Sequence, residues 1–470
     1  MKVRRKKDVR PLPTGGTTVA LPNELVEHIL KFVACDLVLD NYDGLGGRHS
    51  RRLYHPKERK AKESLIDVST VCRTWWQLAL PYIFHTIALY FDPLLVENLY
   101  EEQHFEDDHE THCDCKRYRS LQVFLTFIEE SPQIASRIKE LRLFQVDHKR
   151  HQAPLLYEAP CDIFQLVSVL RSLPKLRAVH LQDVSLEQFQ KTEPYTPQEL
   201  ERLGPPMSFD RFYFGHTEQE LIISFTAILP LISVLGDIQE LHLKGVYVHK
   251  ENEDSDKRLP SHFKVGALNV VHYDGIGGAL SVFSDPSFIR EGPLRSIDLY
   301  ELLPKDLSVV QDMLTQAGPT LTKVTLFINR LLDPCWKFAE MANPNQGVLP
   351  SISSLDLSPC INLNSLTLKW EPCLRKHRGP VFSRVAPVLS RLHSHSALQT
   401  ITFILYYSGT LHDLSERLVG AKEVDRALAQ IPSLRRVVFD IEYAKKKQQK
   451  DALVDVGTLL FPECKAKGLL

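Results

Sequence analysis

One short pattern recurs through most of the chain and limits what it can fold into. An apolar residue is followed two or three residues later by an alternating apolar pair. Copies read "IKELRLFQV" from Ile138, "LRAVHLQDV" from Leu176, "IQELHLKGV" from Ile238 and "LRSIDLYEL" from Leu294. Others are "LTKVTLFIN" from Leu321, "LNSLTLKWE" from Leu363, "LQTITFILY" from Leu398 and "LRRVVFDIE" from Leu434. A weaker copy, "LNVVHYDGI", starts at Leu268. The period of two is that of a short strand. A unit this small cannot bury its apolar face alone, so repetition implies an array of stacked units.

Most copies follow a helical pattern, as in "FQLVSVLRSLPK" before Leu176 and "LSVVQDMLTQAGPT" before Leu321. Apolar residues there fall three and four apart, along one helix face. Pro174, Gly236, Pro319 and Pro432 stand between helix and strand, where they stop the one and release the other. The unit is therefore helix, stop, strand, loop, and the fold class is α/β. From about residue 85 to 470 the array resembles the leucine-rich-repeat horseshoe in a long, irregular form. That resemblance implies a solenoid with parallel strands inside and helices outside. The competing arrangement is an ordinary doubly wound parallel sheet. Most insertions fall after a strand and before the next helix, at about 91–118, 147–160, 185–218, 247–262, 330–350 and 370–380. In a solenoid these would gather on one rim, where binding surfaces are built.

Residues 19–84 read differently. "LPNELVEHIL" (21–30) opens with a proline suited to a first helical turn. Leu25, Ile29 and Leu30, with Phe32 and Val33, make an apolar face. Later, "ESLIDVSTVCRTWWQLAL" offers two more short helical faces, through Leu65, Ile66 and Val68 and then Val71, Cys72, Trp75 and Leu78. Between them, residues 35–63 are Gly-rich and basic and read as a flexible loop. The two blocks together resemble the F-box, whose pattern matches Leu21, Pro22, Glu24, Leu25, Ile29 and Leu30, then Val71, Cys72, Arg73 and Trp75. The run "LALPYIFHTIAL" is similar to the junction of fungal-type F-box proteins, where the last helix enters the first repeat strand. The resemblance implies a three-helix module that binds a Skp-family adaptor and, through it, a cullin and a RING ubiquitin ligase. The protein would then supply substrate choice and no chemistry. Leu21, Pro22, Leu25, Ile29, Leu30, Leu65, Val68, Val71, Cys72, Trp75 and Leu78 are the expected adaptor-binding residues. Two alternatives stand beside this: a helical cap on the solenoid's N-terminal end, and a repeat scaffold with no ligase role.

Charge narrows the other classes. Lys plus Arg number 57 against 58 Asp plus Glu, so nothing global favours nucleic acid or an anionic membrane. No apolar run is long enough to span a bilayer. Nine cysteines without framework spacing suit reduced thiols, hence cytoplasm or nucleus. The basic tail (1–18) reads as a disordered end or a nuclear-import patch. "HFEDDHETHCDC" holds His104, His109, His112, Cys113 and Cys115 but lacks a C-x2-C pair, so it reads as an acidic loop with no metal. "YDGLGG" (42–47) and "YDGIGG" (273–278) lack the third glycine of a dinucleotide loop and read as turns, with no cofactor implied. No P-loop, G-x-S-x-G or H-E-x-x-H occurs. Finally, "FDRFYFGH" places Phe209, Phe212, Tyr213 and Phe214 in the longest insertion, as candidate anchors for an unknown protein substrate on a rim loop or as residues tucked beneath it.

Overall fold

The apolar pair of each repeat becomes two rows of a single sheet. The structure, a computed structural model, describes residues 22–34, 56–91, 120–145, 161–184, 186, 196–215, 221–249, 259–271, 276–285, 288–289, 294–300, 302–328, 331, 352–370, 381–406, 420–442 and 460–470. The chain divides into two compact units, Met1–His85 and Thr86–Leu470.

The first unit holds α1 (Asn23–Ala34), α2 (Pro56–Ser69) and α3 (Arg73–Ile83). Helix α2 corrects one expectation: residues 56–63, the last part of the predicted flexible loop, are helical. The segment "PKERKAKE" explains this, with proline in the first turn and Lys, Glu, Arg and Ala as strong helix formers. Ala61 anchors that turn in the unit's core. Residues 35–55 of the predicted loop lie outside the described residues, as do the basic tail and the His104–Cys115 cluster.

The second unit carries strands β1 (Thr86–Phe91), β2 (Glu140–Gln145), β3 (Ala178–Gln182), β4 (Met207–Gly215), β5 (Leu221–Ser224), β6 (Leu235–Lys244) and β7 (Val246–His249). It continues with β8 (Lys264–Val271), β9 (Ser296–Tyr300), β10 (Lys323–Phe327), β11 (Ser365–Trp370), β12 (Thr400–Tyr406) and β13 (Arg436–Glu442). Eleven form one sheet in the order β1-β2-β3-β4-β6-β8-β9-β10-β11-β12-β13, with every neighbouring pair parallel; β5 and β7 pair as a separate 2-stranded parallel ribbon. The order never reverses. Parallel crossovers are right-handed almost without exception, so a monotonic order sets every connecting helix on the same face. A doubly wound sheet needs a reversal, and none is present among these strands. The unit is an α/β, solenoid-like stack.

Register shows why the repeat has its form. One row across the sheet reads Ile87, Leu141, Val179, Phe212, Leu241, Leu268, Ile297, Val324, Leu366, Ile401 and Val437. The row two residues on reads Leu89, Leu143, Leu181, Phe214, Leu243, Val270, Leu299, Leu326, Leu368, Phe403 and Phe439. Apart from the terminal strands these side chains are buried, most of them with no exposed surface. Each such burial stabilises by about 1.5–3 kcal/mol. The helices α6 (Ile163–Arg171), α9 (Gly277–Phe283), α10 (Leu307–Ala317), α11 (Val381–Ser390) and α12 (Ala421–Ala429) supply matching buried residues such as Leu166, Val310, Leu314, Leu389 and Leu428. (The short α4, Leu121–Glu130, with α5, Pro132–Ala135, α7, Pro197–Arg202, and α8, Phe225–Ser233, complete the numbering up to α13, Pro462–Ala466.) Pro174, Pro319 and Pro432 fall between helix and strand as expected, whereas Gly236 is already inside β6.

Two copies of the repeat differ from their sequence reading. The weak copy is out of phase: Val265, Leu268 and Val270 take the places held elsewhere by Leu176, Val179 and Leu181, so its frame starts at Val265. The residues "FDRFYFG" are not a rim loop. They are strand β4, with Phe209, Phe212 and Phe214 at most 4% exposed. The second Gly-rich run is likewise more than a turn, because Gly277 and Gly278 open α9. The stretches at 91–118, 147–160, 330–350 and 370–380 fall almost wholly outside the described residues; 185–218 contains α7 and β4, and 247–262 includes the end of β7.

Adjacent repeats are also stitched by buried carboxylates. Asp306, just before α10, accepts from the backbone N–H groups of Ile276 (3.1 Å) and Gly277 (3.0 Å) at the start of α9, and from Leu303 (3.0 Å). Asp425 on α12 accepts from Glu463 (2.8 Å) and Cys464 (2.9 Å) at the start of α13. Each satisfies helix N-terminal donors that have no partner within their own helix. A Cβ on Gly277 would stand 2.8 Å from the Asp306 carboxylate, so glycine is what allows the approach. Asp306→Ala should destabilise the second unit by about 2–4 kcal/mol, since two buried donors and a half-buried one lose their acceptor. Asp312→Ala, on the exposed side of α10, should stay within about 0.5 kcal/mol. Calorimetric Tm values for both variants check the difference.

Candidate functional site

In the first unit, helical spacing decides which apolar residues face inward. Val26 and Leu30 on α1, Ala61 and Leu65 on α2, and Ala79 and Ile83 on α3 form the buried cluster, each pair four apart. Val68, Trp75, Leu78, Tyr82 and Phe84 pack partly buried against it. Such a core is small for an independent domain.

The expected adaptor-binding residues therefore separate. Leu30 and Leu65 are core residues with no exposed surface, because each stacks one turn from another core position. They shape the unit and offer no surface to a partner. Val68, Trp75 and Leu78 are half-buried against the cluster, and Ile29 is half-buried too. Pro22, Leu25, Val71 and Cys72 are exposed, and Leu21 lies outside the described residues. Two further residues belong with the exposed set. Ile66 follows Leu65 and Trp76 follows Trp75, and each is turned about 100° from its core-facing neighbour. Leu25 is 46% exposed, Ile66 48%, Val71 63% and Trp76 42%. These are four of the eight large apolar side chains that are exposed among the described residues, and they fall in three short helices and one turn. Their signal in the sequence was the phase of each helix, which sets Trp75, Ala79 and Ile83 on one line and leaves Trp76 beside it.

The second surface is the helix-free face of the sheet. Between the two apolar rows runs a third: Ala88, Arg142, His180, Tyr213, His242, Asn269, Asp298, Thr325, Thr367, Thr402 and Val438. Side chains alternate along a strand, so this row points opposite to its apolar neighbours. Tyr213 belongs to it, whereas Phe209, Phe212 and Phe214 face the core. Those three are therefore not substrate anchors.

On β1 to β4 the polar row closes on itself. Arg142 Nε donates to Glu140 Oε1 at 2.7 Å, His180 Nε2 lies 3.2 Å from the same oxygen, and Thr86 donates to Oε2 at 3.2 Å. Burial works to raise the Glu140 carboxyl, but His180 and the Arg142 charge hold it far below the usual carboxylate range. Burial holds the His180 imidazole below its ordinary value, and the neutral ring still has one N–H to give. Its ring stacks on Tyr213 at 5.7 Å. One strand further, Glu240 sits 3.1 Å from Arg211 and 3.5 Å from His242; its pKa falls to about 2, through His242 and then, against burial, through Arg211.

Beyond β6 the row changes character. Asn269 and Asp298 are register partners on β8 and β9. Asn269 Oδ1 and Asp298 Oδ1 are buried and accept no hydrogen bond among the described residues. Burial raises the Asp298 carboxyl to about 6 against the opposing charges of Lys369, Lys323 and His242. Lys369 instead donates to Tyr300 Oη at 2.6 Å.

Three described thiols are poorly suited to act as nucleophiles. Cys161 and Cys360 are buried, with thiols pushed up to about 12 by desolvation, and buried Cys464 is raised further. Among the described residues no group of three or more His, Cys, Asp or Glu side chains is placed to hold a metal ion. No helix among them is long and apolar enough to cross a membrane.

No protein-family model matches the chain, and no curated protein matches it. Among solved structures it is similar to a crystal structure of a Bacteroides fragilis protein, a Northeast Structural Genomics Consortium target. The identity is 10% and the TM-score 0.33, over 69% of this chain and 71% of that one. A likeness that weak carries no argument, and the fold rests on strand order and register.

Asp298 gives a stability prediction with a definite sign. Its folded pKa is raised, so the folded state holds the proton more tightly than the unfolded chain does. That contribution is complete below about pH 4 and is lost as pH rises through 6. Asp298→Asn should therefore gain on the wild type between pH 5 and 8, by on the order of 2 kcal/mol at the upper end. Glu240 does not interfere, being ionised in both states over that range. Tm measured for both proteins across the interval checks it; parallel curves would refute it.

Proposed function

We propose that the protein is a non-catalytic substrate-recognition subunit of a cullin-RING ubiquitin ligase of the SCF type. In this reading the three-helix unit binds a Skp-family adaptor and the repeat unit binds the protein to be modified. The resemblance of Leu21, Pro22, Glu24, Leu25, Ile29 and Leu30, with Val71, Cys72, Arg73 and Trp75, to the F-box pattern motivates it. One observation carries it: a three-helix unit with a small core leaves Leu25, Ile66, Val71 and Trp76 exposed.

The physical reasoning is that of helix-in-groove recognition. Large exposed apolar side chains on a small helical unit gain most by entering a partner's groove. Tryptophan is the residue type most enriched at energetic centres of interfaces. The core residues Val26, Leu30, Ala61, Leu65, Ala79 and Ile83 would then fix the spacing of the anchors. The repeat unit suits target recognition because its helix-free face aligns polar side chains such as Tyr213, His242, Asn269 and Asp298, which keep partial exposure. The place of work would be the cytoplasm or nucleus, where the ligase machinery operates.

Trp76→Ala should weaken binding to a purified Skp-family adaptor by about tenfold to a hundredfold, as a hot-spot truncation does. Leu25→Glu should abolish it. Neither should change the Tm of the second unit. Leu30→Ala, by contrast, should cost about 2–5 kcal/mol of first-unit stability. Titration calorimetry with full-length protein reads the affinities. If the wild-type chain does not bind the adaptor, the ligase reading fails and a scaffold without ligase function takes its place.

A further inference from the structure

The polar row of the helix-free face gathers donors around a carboxylate at one end and leaves acceptors unanswered in the middle. Around Glu140, the Arg142 guanidinium and the Thr86 hydroxyl hydrogen-bond one carboxylate, and His180 Nε2 stands 3.2 Å from it. At β8 and β9, two acceptor oxygens stand on adjacent strands and accept no hydrogen bond from a described residue, and Nε2 of His242, the register neighbour of Asn269 on β6, bonds to neither. Both side chains keep partial exposure, although the Oδ1 atoms themselves are buried. A buried acceptor without a partner has given up water for nothing, and only a donor recovers that. Two acceptors side by side call for a group with several N–H bonds. One of them is a carboxyl, which calls for a cation.

The neighbours narrow the choice. Tyr300 lies two residues beyond Asp298 on β9 and so shares its face. Its ring already stands under a cation, Lys369 Nζ at 4.8 Å from the centroid, and stacks on Phe327 at 5.9 Å. Lys323, the other cation facing Asp298, is exposed. An anionic ligand would meet two oxygens head on. A guanidinium offers five N–H donors in one plane, stays charged when desolvated and stacks on aromatic rings.

We propose that the helix-free face at β8 and β9 is a binding site for an arginine side chain of a bound polypeptide, with Asn269 and Asp298 accepting its hydrogen bonds beside Tyr300. The inference concerns the second unit alone and stands whether or not the first unit binds an adaptor.

The test uses the full-length protein with arginine amide as probe, followed by calorimetry and thermal shift. Saturable binding is expected, weakened at least tenfold by Asp298→Asn and by Asn269→Ala. Binding should be unchanged in Asp440→Asn, which alters an exposed carboxylate on the last strand. Asp298→Asn keeps the side chain's shape, and its melting curve verifies folding; Asn269→Ser serves as a second variant at its position. Three results would each overturn the proposal. One is the absence of saturable binding, as expected if the Asn269 amide turns over to bond Asp298 internally. Another is binding that survives both substitutions. The third is saturation by inorganic phosphate or glutamate amide in place of arginine amide.

Discussion

Everything in the second unit depends on the parallel ladder between one repeat and the next. Its hydrogen bonds run past the strands themselves: Arg177 donates to Lys139, Thr322 to Arg295, Asn364 to Thr322, Gln399 to Asn364 and Arg435 to Gln399. Each repeat thereby fixes the height of the following one before any side chain is considered. Because side chains alternate along a strand, a shift of one residue would turn both apolar rows outward. The apolar pair and the ladder therefore enforce each other. That mutual constraint leaves the intervening row free to vary in chemistry, since its position is set by its neighbours.

This is also why so much of the second unit could be read from the sequence. Eight copies obey the rule with Leu, Ile, Val or Phe at the two inward positions, and each one is a strand of the large sheet. The exceptions are physically instructive. Strand β4 satisfies the same rule with phenylalanine at Phe209, Phe212 and Phe214. Aromatics crowded into a long insertion looked like a binding loop, yet their alternation with Asp210, Arg211 and Tyr213 was the strand signal. In β8 the apolar run of Leu268, Val270 and Val271 masks the true frame, which starts three residues earlier at Val265. The helical character of residues 56–63 was hidden by charge, although Lys, Glu and Ala favour helix regardless of polarity.

The candidate surfaces were less legible, for two different reasons. In the first unit the right segments stood out, but a surface residue and a core residue can be adjacent in sequence. Trp75 and Trp76 differ only in helical phase, and that phase is set by where Ala79 and Ile83 are buried. On the sheet the difficulty is greater. Asn269 and Asp298 become neighbours through the register of β8 with β9, as Glu140 and His180 do through β2 with β3. No spacing along the chain records that relation; it exists only once the ladder has aligned the repeats.

The unequal treatment of the polar row has an energetic meaning. Burying charged and polar groups on the face opposite two apolar rows is costly unless each finds a partner. At β2 and β3 the cost is offset internally: one carboxylate collects a guanidinium, an imidazole and a hydroxyl, and is held ionised far below its ordinary range. Such a closed network fixes its members and leaves them little to offer a ligand. At β8 and β9 the same backbone carries acceptors that the described chain does not answer, and Asp298 is correspondingly harder to ionise. A uniform scaffold thus holds two kinds of environment in one row, one gathered around its own carboxylate and one whose acceptor oxygens take no hydrogen bond from the described residues. Since the apolar rows carry the stability, the polar row at β8 and β9 can hold groups whose natural partners come from outside the fold.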